Sequence, residues 1–511
     1  MEGLNKRREI LNKDWGRTMT GISAKRILVL LVVAGWSVPL GMGQGTTAVI
    51  LGVIRDQTGA VVPGATLTAT NTETGLSRTT NSGNDGSYRF PALPVGSHEV
   101  RTEHAGFQTA LRSGLRLTVG QEAVVNFTLE VGAVTQTVAV TAEAPLVNTT
   151  SGSLGSLVDE QSVADLPLNG RNYIELNLLQ PGVQEHENRS RTGVFVGRYI
   201  SVNGAPLRSN SYTIDGAQMG NLFGATSSSV TDTTLGVEGI REYRLITNSF
   251  SAEYGISMGS HMVIATKSGT NNFHGSLFEF LRNSALDARN FFDLKTEATP
   301  RRLPAFTKNQ FGGSVGGPIV PDKTFFHAVF ETDKVRQGLT IVSRTLPREA
   351  KVDGGSVPPI DPRIKPLLTL FPDPNLPNNE FTFPFSQPTN EYFGQIRGDH
   401  TFSANDTGFI RYTADSTNQV RVRPFPQFVT PRESRSQFAT LSESHVFSPS
   451  VLNTFRYSFS RTVLLNRDAS GIRVRSSRSC RTSLSVVSRS PGSPRLGRRS
   501  RTTPWCKMSL R

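Results

Sequence analysis

Between Val237 and Asp293 the hydrophobic pattern changes kind, and that change limits what the chain can fold into. Tyr243 to Ile246 and Met262 to Thr266 are apolar runs of β type, and Val263 and Ile264 stand side by side, as in a strand buried on both faces. A break follows at Lys267-Ser268-Gly269-Thr270-Asn271-Asn272, and the next run, Phe273 to Leu281, interleaves Phe273, Leu277 and Phe280 with His274, Ser276 and Glu279. A Ser-Gly-Thr-Asn cluster between such runs reads as strand, turn, strand. A packed globular sheet therefore gives way to strands with one wet face, as in a barrel wall.

Composition agrees with a β-rich reading. Of 511 residues 36% are hydrophobic, and 47 Gly and 29 Pro supply many turns, in a chain long enough for about three domains. No stretch reaches the roughly 18 apolar residues of a membrane helix, a test to which barrel strands of about ten alternating residues are invisible. The net charge of +14 sits at the two ends. From Arg473 to Arg511 there are ten Arg, one Lys and no acid, and residues 1–26 hold seven basic and three acidic residues, so the body between is within one charge of neutrality. No nucleic-acid partner is expected. Both cysteines, Cys480 and Cys506, lie in the basic tail; a cysteine-free body needs no disulfide and suits an exported protein.

Lys25-Arg26 followed by I-L-V-L-L-V-V-A-G-W and small residues at Gly41 and Gly43 reads as a secretory signal peptide, residues 1–43, cut near Gly43-Gln44. Its long charged lead makes Met19 an alternative start. Residues 45–131 then carry strand-like runs (Ala48 to Arg55, Ala65 to Asn71, Ser87 to Phe90, Ser97 to Glu103, Leu115 to Val119, Ala123 to Leu129) with turn signals at Asp56-Gln57-Thr58-Gly59, Pro63-Gly64 and Asn84-Asp85-Gly86, the pattern of a small β-sandwich with Tyr88 and Phe90 in its core. Farther on, Ser201 to Gly216 reads as strand, Asn-Gly hairpin, strand, Asp-Gly turn. Tyr173, Ile174, Leu176, Leu178 and Leu179 mark a short amphipathic segment. After Phe273, Thr324 to Val335, Glu391 to Phe402, Thr407 to Ala414, Ser436 to Val446 and Val451 to Val463 are strand-length runs, and in the last Phe455, Tyr457 and Phe459 alternate with Arg456, Ser458 and Ser460, as lipid-facing and lumen-facing positions do.

These residues carry two resemblances. G-V-I-R-D-Q-T-G-A-V-V-P-G-A-T (Gly52 to Thr66) and N-D-G-S-Y-R-F-P-A-L-P-V-G (Asn84 to Gly96) resemble the carboxypeptidase-regulatory-like domain, a transthyretin-like sandwich. N-S-F-S-A-E-Y-G (Asn248 to Gly255), T-K-S-G-T-N-x-F-H-G-S (Thr266 to Ser276) and L-D-A-R-N-F-F (Leu286 to Phe292) resemble the plug-to-barrel junction of TonB-dependent outer-membrane receptors of the Oar-like type. The resemblance implies a mainly β chain: sandwich, linker at 132–145, plug domain at 146–270, then the first part, 271–472, of an antiparallel transmembrane barrel in the outer membrane. Thr137, Val138, Ala139, Val140, Thr141 and Ala142 stand where such receptors keep the box that pairs with TonB by strand addition; a last sandwich strand or a linker is the plainer reading. Arg171, Arg208 and Asp215 are candidates for a ligand path through the plug, against a reading as exposed charges beside turns.

The expected partners are a TonB-type energy-coupling protein, outer-membrane lipid, and a small-molecule, glycan or peptide ligand. No cofactor or enzyme activity is expected, for no His has Glu three residues later and no zinc or D-x-D-x-D-G calcium motif occurs. Family barrels have about 22 strands, whereas some 200 residues after Phe273 supply only about 8 to 10, so an apparently truncated N-terminal portion is expected, unable to transport alone. The Arg/Ser tail at 473–511 reads as a disordered segment, a linker or out-of-frame sequence after Gly471. A secreted or surface carbohydrate-binding protein built on the sandwich is the alternative.

Overall fold

The computed structural model describes residues 46–132, 137–141, 152–166, 168–186, 199–220, 229–231, 236–250, 254–255, 257–286, 305–353, 360–466 and 469–470. The expected signal segment, Ala142 and the basic tail lie outside them.

Nine strands build the first domain: β1 (Ala48–Asp56), β2 (Thr66–Asn71), β3 (Ser77–Asn81), β4 (Ser87–Leu93), β5 (Gly96–Glu103), β6 (Thr109–Leu117), β7 (Glu122–Val124), β8 (Phe127–Leu129) and β9 (Thr137–Thr141). One sheet runs β4-β1-β7 with β8 also on β1, and the other runs β3-β2-β5-β6-β9. Alternate residues of both sheets, among them Ile50, Ile54, Leu67, Tyr88, Phe90, Val100, Leu115 and Phe127, meet in one buried cluster, as expected of Tyr88 and Phe90. One strand was not legible: β3 is Ser-Arg-Thr-Thr-Asn and has no apolar residue. Of the readings open for Thr137 to Ala142, the described part, β9, is a last sandwich strand, pairing in parallel with β6.

The middle domain has β10 (Leu154–Val158), a short helix α1 (Glu160–Asp165), β11 (Val183–His186), β12 (Tyr199–Val202), β13 (Ser211–Ile214), β14 (Ala217–Gln218), β15 (Ile240–Asn248) and β16 (His261–Thr266). Its main sheet runs β10-β15-β16-β13-β14. β16 is buried at every position, which explains the unbroken apolar run Met262 to Ala265. The amphipathic segment forms 3₁₀ turns over Tyr173–Leu179, burying Tyr173, Ile174 and Leu176, while Leu179 is exposed. Asn203-Gly204 turns in the left-handed region as read, yet it closes no hairpin. β12 pairs with β11, and β13, buried at all four positions, pairs in parallel with β16 within the main sheet.

The third unit is an antiparallel sheet in chain order: β17 (His274–Asn283), β18 (Phe306–Val320), β19 (Thr324–Arg344), β20 (Glu380–Ser403), β21 (Asp406–Val422), β22 (Phe428–Ser448) and β23 (Val451–Asn466), with β24 (Ala469–Ser470) on β22. β18, rich in glycine, was not read as a strand, and several strands run well past the expected bounds; β20 begins at Glu380, well before the Glu391 at which its run was expected to start. Connections alternate in length. Residues 321–323, 404–405 and 449–450 are tight turns at one end, and 284–305 and 345–379 are long connections at the other.

Pairing fixes the two faces of this wall. Ser434, Thr440 and Arg456 reach the middle domain or its partners, and Phe455, Tyr457 and Phe459 face away, 56%, 62% and 44% exposed, as the alternation predicts. β17 departs from its reading: Phe280 shares the inner face with Ser276 and Phe278, because both rings lie under the Arg171 guanidinium. Leu441, paired with Tyr457 on the outer face, tests the assignment. Leu441→Arg should cost about 2–4 kcal/mol in a bilayer, measured by urea titration in phospholipid vesicles followed by circular dichroism; no loss would mean that this face does not meet lipid.

Candidate functional site

The middle domain meets the wall through buried charge. β13 and β14 are joined by Asp215-Gly216 at φ +47° and +76°, the two left-handed residues of the tight turn that Asp-Gly favours. This turn carries a carboxylate into the wall. Asp215 Oδ2 lies 2.7 Å from Arg411 Nε, and Oδ1 lies 3.2 Å from Arg397 Nη1. The Thr266 N–H and hydroxyl donate to the same carboxylate at 3.0 and 2.7 Å. Arg411 donates further to Thr413 Oγ1, Thr440 Oγ1 and the Ile214 carbonyl. Burial pushes the Asp215 carboxyl up, but the Arg397 and Arg411 charges and the Thr266 donors outweigh it and hold the group below its usual range.

A second contact is centred on Arg171, itself at φ +56°. Its Nη2 is 2.6 Å from Glu238 Oε1, its Nε 3.6 Å from Glu331 Oε1, and its guanidinium lies 4.0 Å from the Phe278 ring centroid. Glu331 is fully buried and accepts from Gly236 N–H and Gln310 Nε2, both at 2.8 Å. Gly236 is required there: its φ is +95°, and a Cβ would stand 2.3 Å from the Phe393 ring. A third contact joins Ser229 and Thr231 to the two oxygens of Glu391, each at 2.6 Å, while Val230 N–H donates to Ser434 Oγ at 3.1 Å. Apolar contact is scarce across this boundary. The buried cluster of the middle domain contains one wall residue, Phe438.

Two of the three expected charges are therefore at this interface, at separate points: Arg171 and Asp215 are both engaged by the wall, and Arg208 is exposed on the loop before β13. Their partners Glu331, Arg397 and Arg411 were missed, as was Glu391 at the third contact. A signal existed for Arg411, which stands between Ile410 and Tyr412 on the polar side of an alternating run. Asp406, Glu443 and His445 bring one ligand atom each within 4.8 Å of one another near the tight turns; His445 Nδ1 lies 3.5 Å from Asp406 Oδ2, and all three are partly exposed.

On the tight-turn side the sandwich is docked on both other units. Arg241 Nη2 reaches both Glu73 oxygens at 2.8 Å, Arg244 donates to the Gly120 carbonyl at 3.0 Å, and the Val119 N–H donates to Glu242 at 2.5 Å. Val119 also packs on Val263 and Ala265. Arg78, almost wholly buried, donates to the Pro91 and Ala92 carbonyls of its own domain and to the Ala404 carbonyl in the β20–β21 turn. β9 lies in the docked sandwich as the outermost strand of its sheet.

Comparison with known proteins gives this arrangement its kin. The family described as a carboxypeptidase regulatory-like domain matches residues 49–130, and that described as an outer membrane beta barrel domain matches residues 265–480. The TonB-dependent transporter Oar of Myxococcus xanthus is 27% identical over 296 residues, 56% of this chain. The chain is related to the TonB-dependent receptors of the outer membrane. It spans 26% of the length of that relative. Among solved structures, the outer membrane transporter YddB of Escherichia coli is 13% identical over 61% of this chain and 39% of its own, with a TM-score of 0.40. The ferric enterobactin receptor PfeA of Pseudomonas aeruginosa is 12% identical over 64% of this chain and 47% of its own, with a TM-score of 0.34. The relatives are transporters and receptors, and the chain is an outer-membrane protein whose long strands match the barrel family and whose middle domain is the segment expected as the plug.

Two outcomes are expected at these contacts. Asp215→Asn leaves two buried guanidinium groups short of their counter-charge and should destabilise the plug against the wall by about 3–5 kcal/mol, read by thermal unfolding in detergent. Glu242 behaves differently, because burial pushes its carboxyl up to about 6 despite the Val119 N–H. Its folded value lies above the ordinary one, so docking is strongest below about pH 4.5 and loses about 2 kcal/mol as pH rises through 6. Glu242→Gln should flatten that dependence between pH 4 and 8; an unchanged profile would show that Glu242 does not set it.

Proposed function

We propose that this protein is the gated part of an energy-coupled outer-membrane importer, in which the plug is a stopper made to be displaced. The observation that carries this reading is the chemistry of the plug–wall boundary. A domain meant to stay would bury apolar surface against the wall, at about 25 cal/mol for each Å². Here the boundary is ion pairs and charge-assisted hydrogen bonds, whose groups water can satisfy when they part, so each contributes only about 1.5–3 kcal/mol net. Such a boundary holds position through many small, directional contacts and yields without exposing a hydrophobic face.

In this reading the ligand binds on the long-connection side, above Arg171 and the Ser229 to Thr231 loop, with Arg208 and Asp215 lower on the same path. The relative's name supplies the partner class, a TonB-type protein. Thr137 to Thr141 is the segment that would take it, by strand addition on an edge strand whose backbone groups can pair with an incoming chain. Because β9 is hydrogen-bonded to β6 and the sandwich is docked on β15, a pull on β9 would pass through the sandwich to the plug.

The test is photocrosslinking in cells from a benzophenone residue placed at each position from Thr137 to Thr141. Crosslinks to a TonB-type protein, abolished by Val138→Pro and dependent on the proton gradient, are the expected result. Their absence at all five positions would sink the coupling role of β9.

A further inference from the structure

The pairing of β21, β22 and β23 fixes what the outer face of the wall offers to the bilayer. Ile410, Tyr412, Ala439, Leu441, Phe455, Tyr457 and Phe459 fall on one face through the pairs Ile410↔Leu441, Tyr412↔Ala439, Leu441↔Tyr457, Ala439↔Phe459 and Glu443↔Phe455. One step farther from the tight turns the same face becomes polar. Ala414 pairs with Gln437 and Gln437 with Arg461, then Ser416 with Arg435 and Arg435 with Val463. A cavity of about 500 Å³ opens here, lined by Ser416, Glu433, Arg435, Gln437, Arg461 and Leu465 among others.

Two features say what the cavity would hold. Arg435 and Arg461 are exposed, and neither forms a hydrogen bond or ion pair with another described residue. They are diagonal cross-strand neighbours, roughly 7–8 Å apart at their backbones, a spacing at which both guanidinium groups can reach one anion. Their height is the second feature. From Val451 at the tight turn to Arg461, a strand rising about 3.3 Å per residue at a tilt near 40° climbs about 25 Å, the height of the apolar band of such barrels. The pair thus stands where hydrocarbon ends and headgroups begin. An unpaired arginine costs about 2–4 kcal/mol at the bilayer midplane, falling toward zero at the interface, and a phosphate oxygen accepts from guanidinium in the forked geometry that makes such pairs strong.

We propose that Arg435 and Arg461 form a binding site for the phosphate of a lipid headgroup on the outer side of the barrel, with Gln437 and Ser416 as further hydrogen-bond donors and Tyr412 and Phe459 flanking the acyl chain below. The site faces away from the plug. It rests on the outer-membrane placement of the chain and is independent of import.

The experiment is native mass spectrometry of the full chain in dodecyl maltoside, titrated with phosphatidylglycerol, with diacylglycerol and with inorganic phosphate. Wild type should retain one phosphatidylglycerol at least ten-fold more tightly than R435Q/R461Q. R435K/R461K, which keeps the charge, should lie within about three-fold of wild type, and diacylglycerol should not be retained. Both changes are on an exposed face, so circular dichroism should be the same in all three proteins. Equal retention by wild type and R435Q/R461Q would overturn the site, as would loss of retention in R435K/R461K with circular dichroism unchanged. Displacement of the lipid by an equal concentration of inorganic phosphate would overturn its assignment to lipid and leave a free-anion site.

Discussion

The Asp215 carboxylate, clasped by Arg397 and Arg411, is the interaction on which the rest of the architecture depends. A buried carboxylate stays charged only beside positive charge and donors, and here the counter-charges belong to a different domain. Plug and wall therefore complete each other: the β13–β14 turn cannot be buried without β20 and β21, and Arg411, fully buried, would be an isolated charge without the turn. Neither unit has an apolar substitute for this contact. A buried pair of this kind is weak evidence for stability but strong evidence for register, since it holds one turn of the plug against two particular strands.

The same logic repeats at Arg171, at Glu391 and at the sandwich. The sandwich and the plug each have their own buried core, and the seams are mainly polar, with Phe438, the Val230–Leu464 contact and the Val119 contact as apolar exceptions. Rigid bodies joined by polar seams can move against one another without losing their cores. The sandwich touches both plug and wall through Arg241, Glu242 and the Ala404 carbonyl, so it is docked on both rather than hanging from the chain. On the opposite face of the wall the demand is reversed, and the aromatic and aliphatic side chains of β21 to β23 are turned outward.

Much of this was legible in the sequence where a repeating physical demand acts on every second residue. Phe455, Tyr457 and Phe459 against Arg456, Ser458 and Ser460 gave the two faces of β23, and the solid run at Met262 gave the buried centre of the plug sheet. Legibility failed where pairing rather than side chains makes the strand. β3 has no apolar residue, and β18 is nearly half glycine and small polar residues. It failed also for partners distant in the chain: Asp215 and Arg171 could be singled out, and alternation marks Arg411 as inward, but nothing local names Arg397, Arg411 or Glu331 as their partners.

The sequence by itself determined the order of domains, their β character, the left-handed turns at Asn203-Gly204 and Asp215-Gly216, and the alternation that makes a wall, because these follow from backbone sterics and from which side chains avoid water. Only the tertiary structure decided which charges meet, that the Asn203-Gly204 turn joins no hairpin, that β9 lies on the sandwich, and that Arg435 and Arg461 stand together above the lipid band. Those outcomes depend on contacts between residues far apart in the chain, and no local pattern encodes a partner that only folding brings within reach.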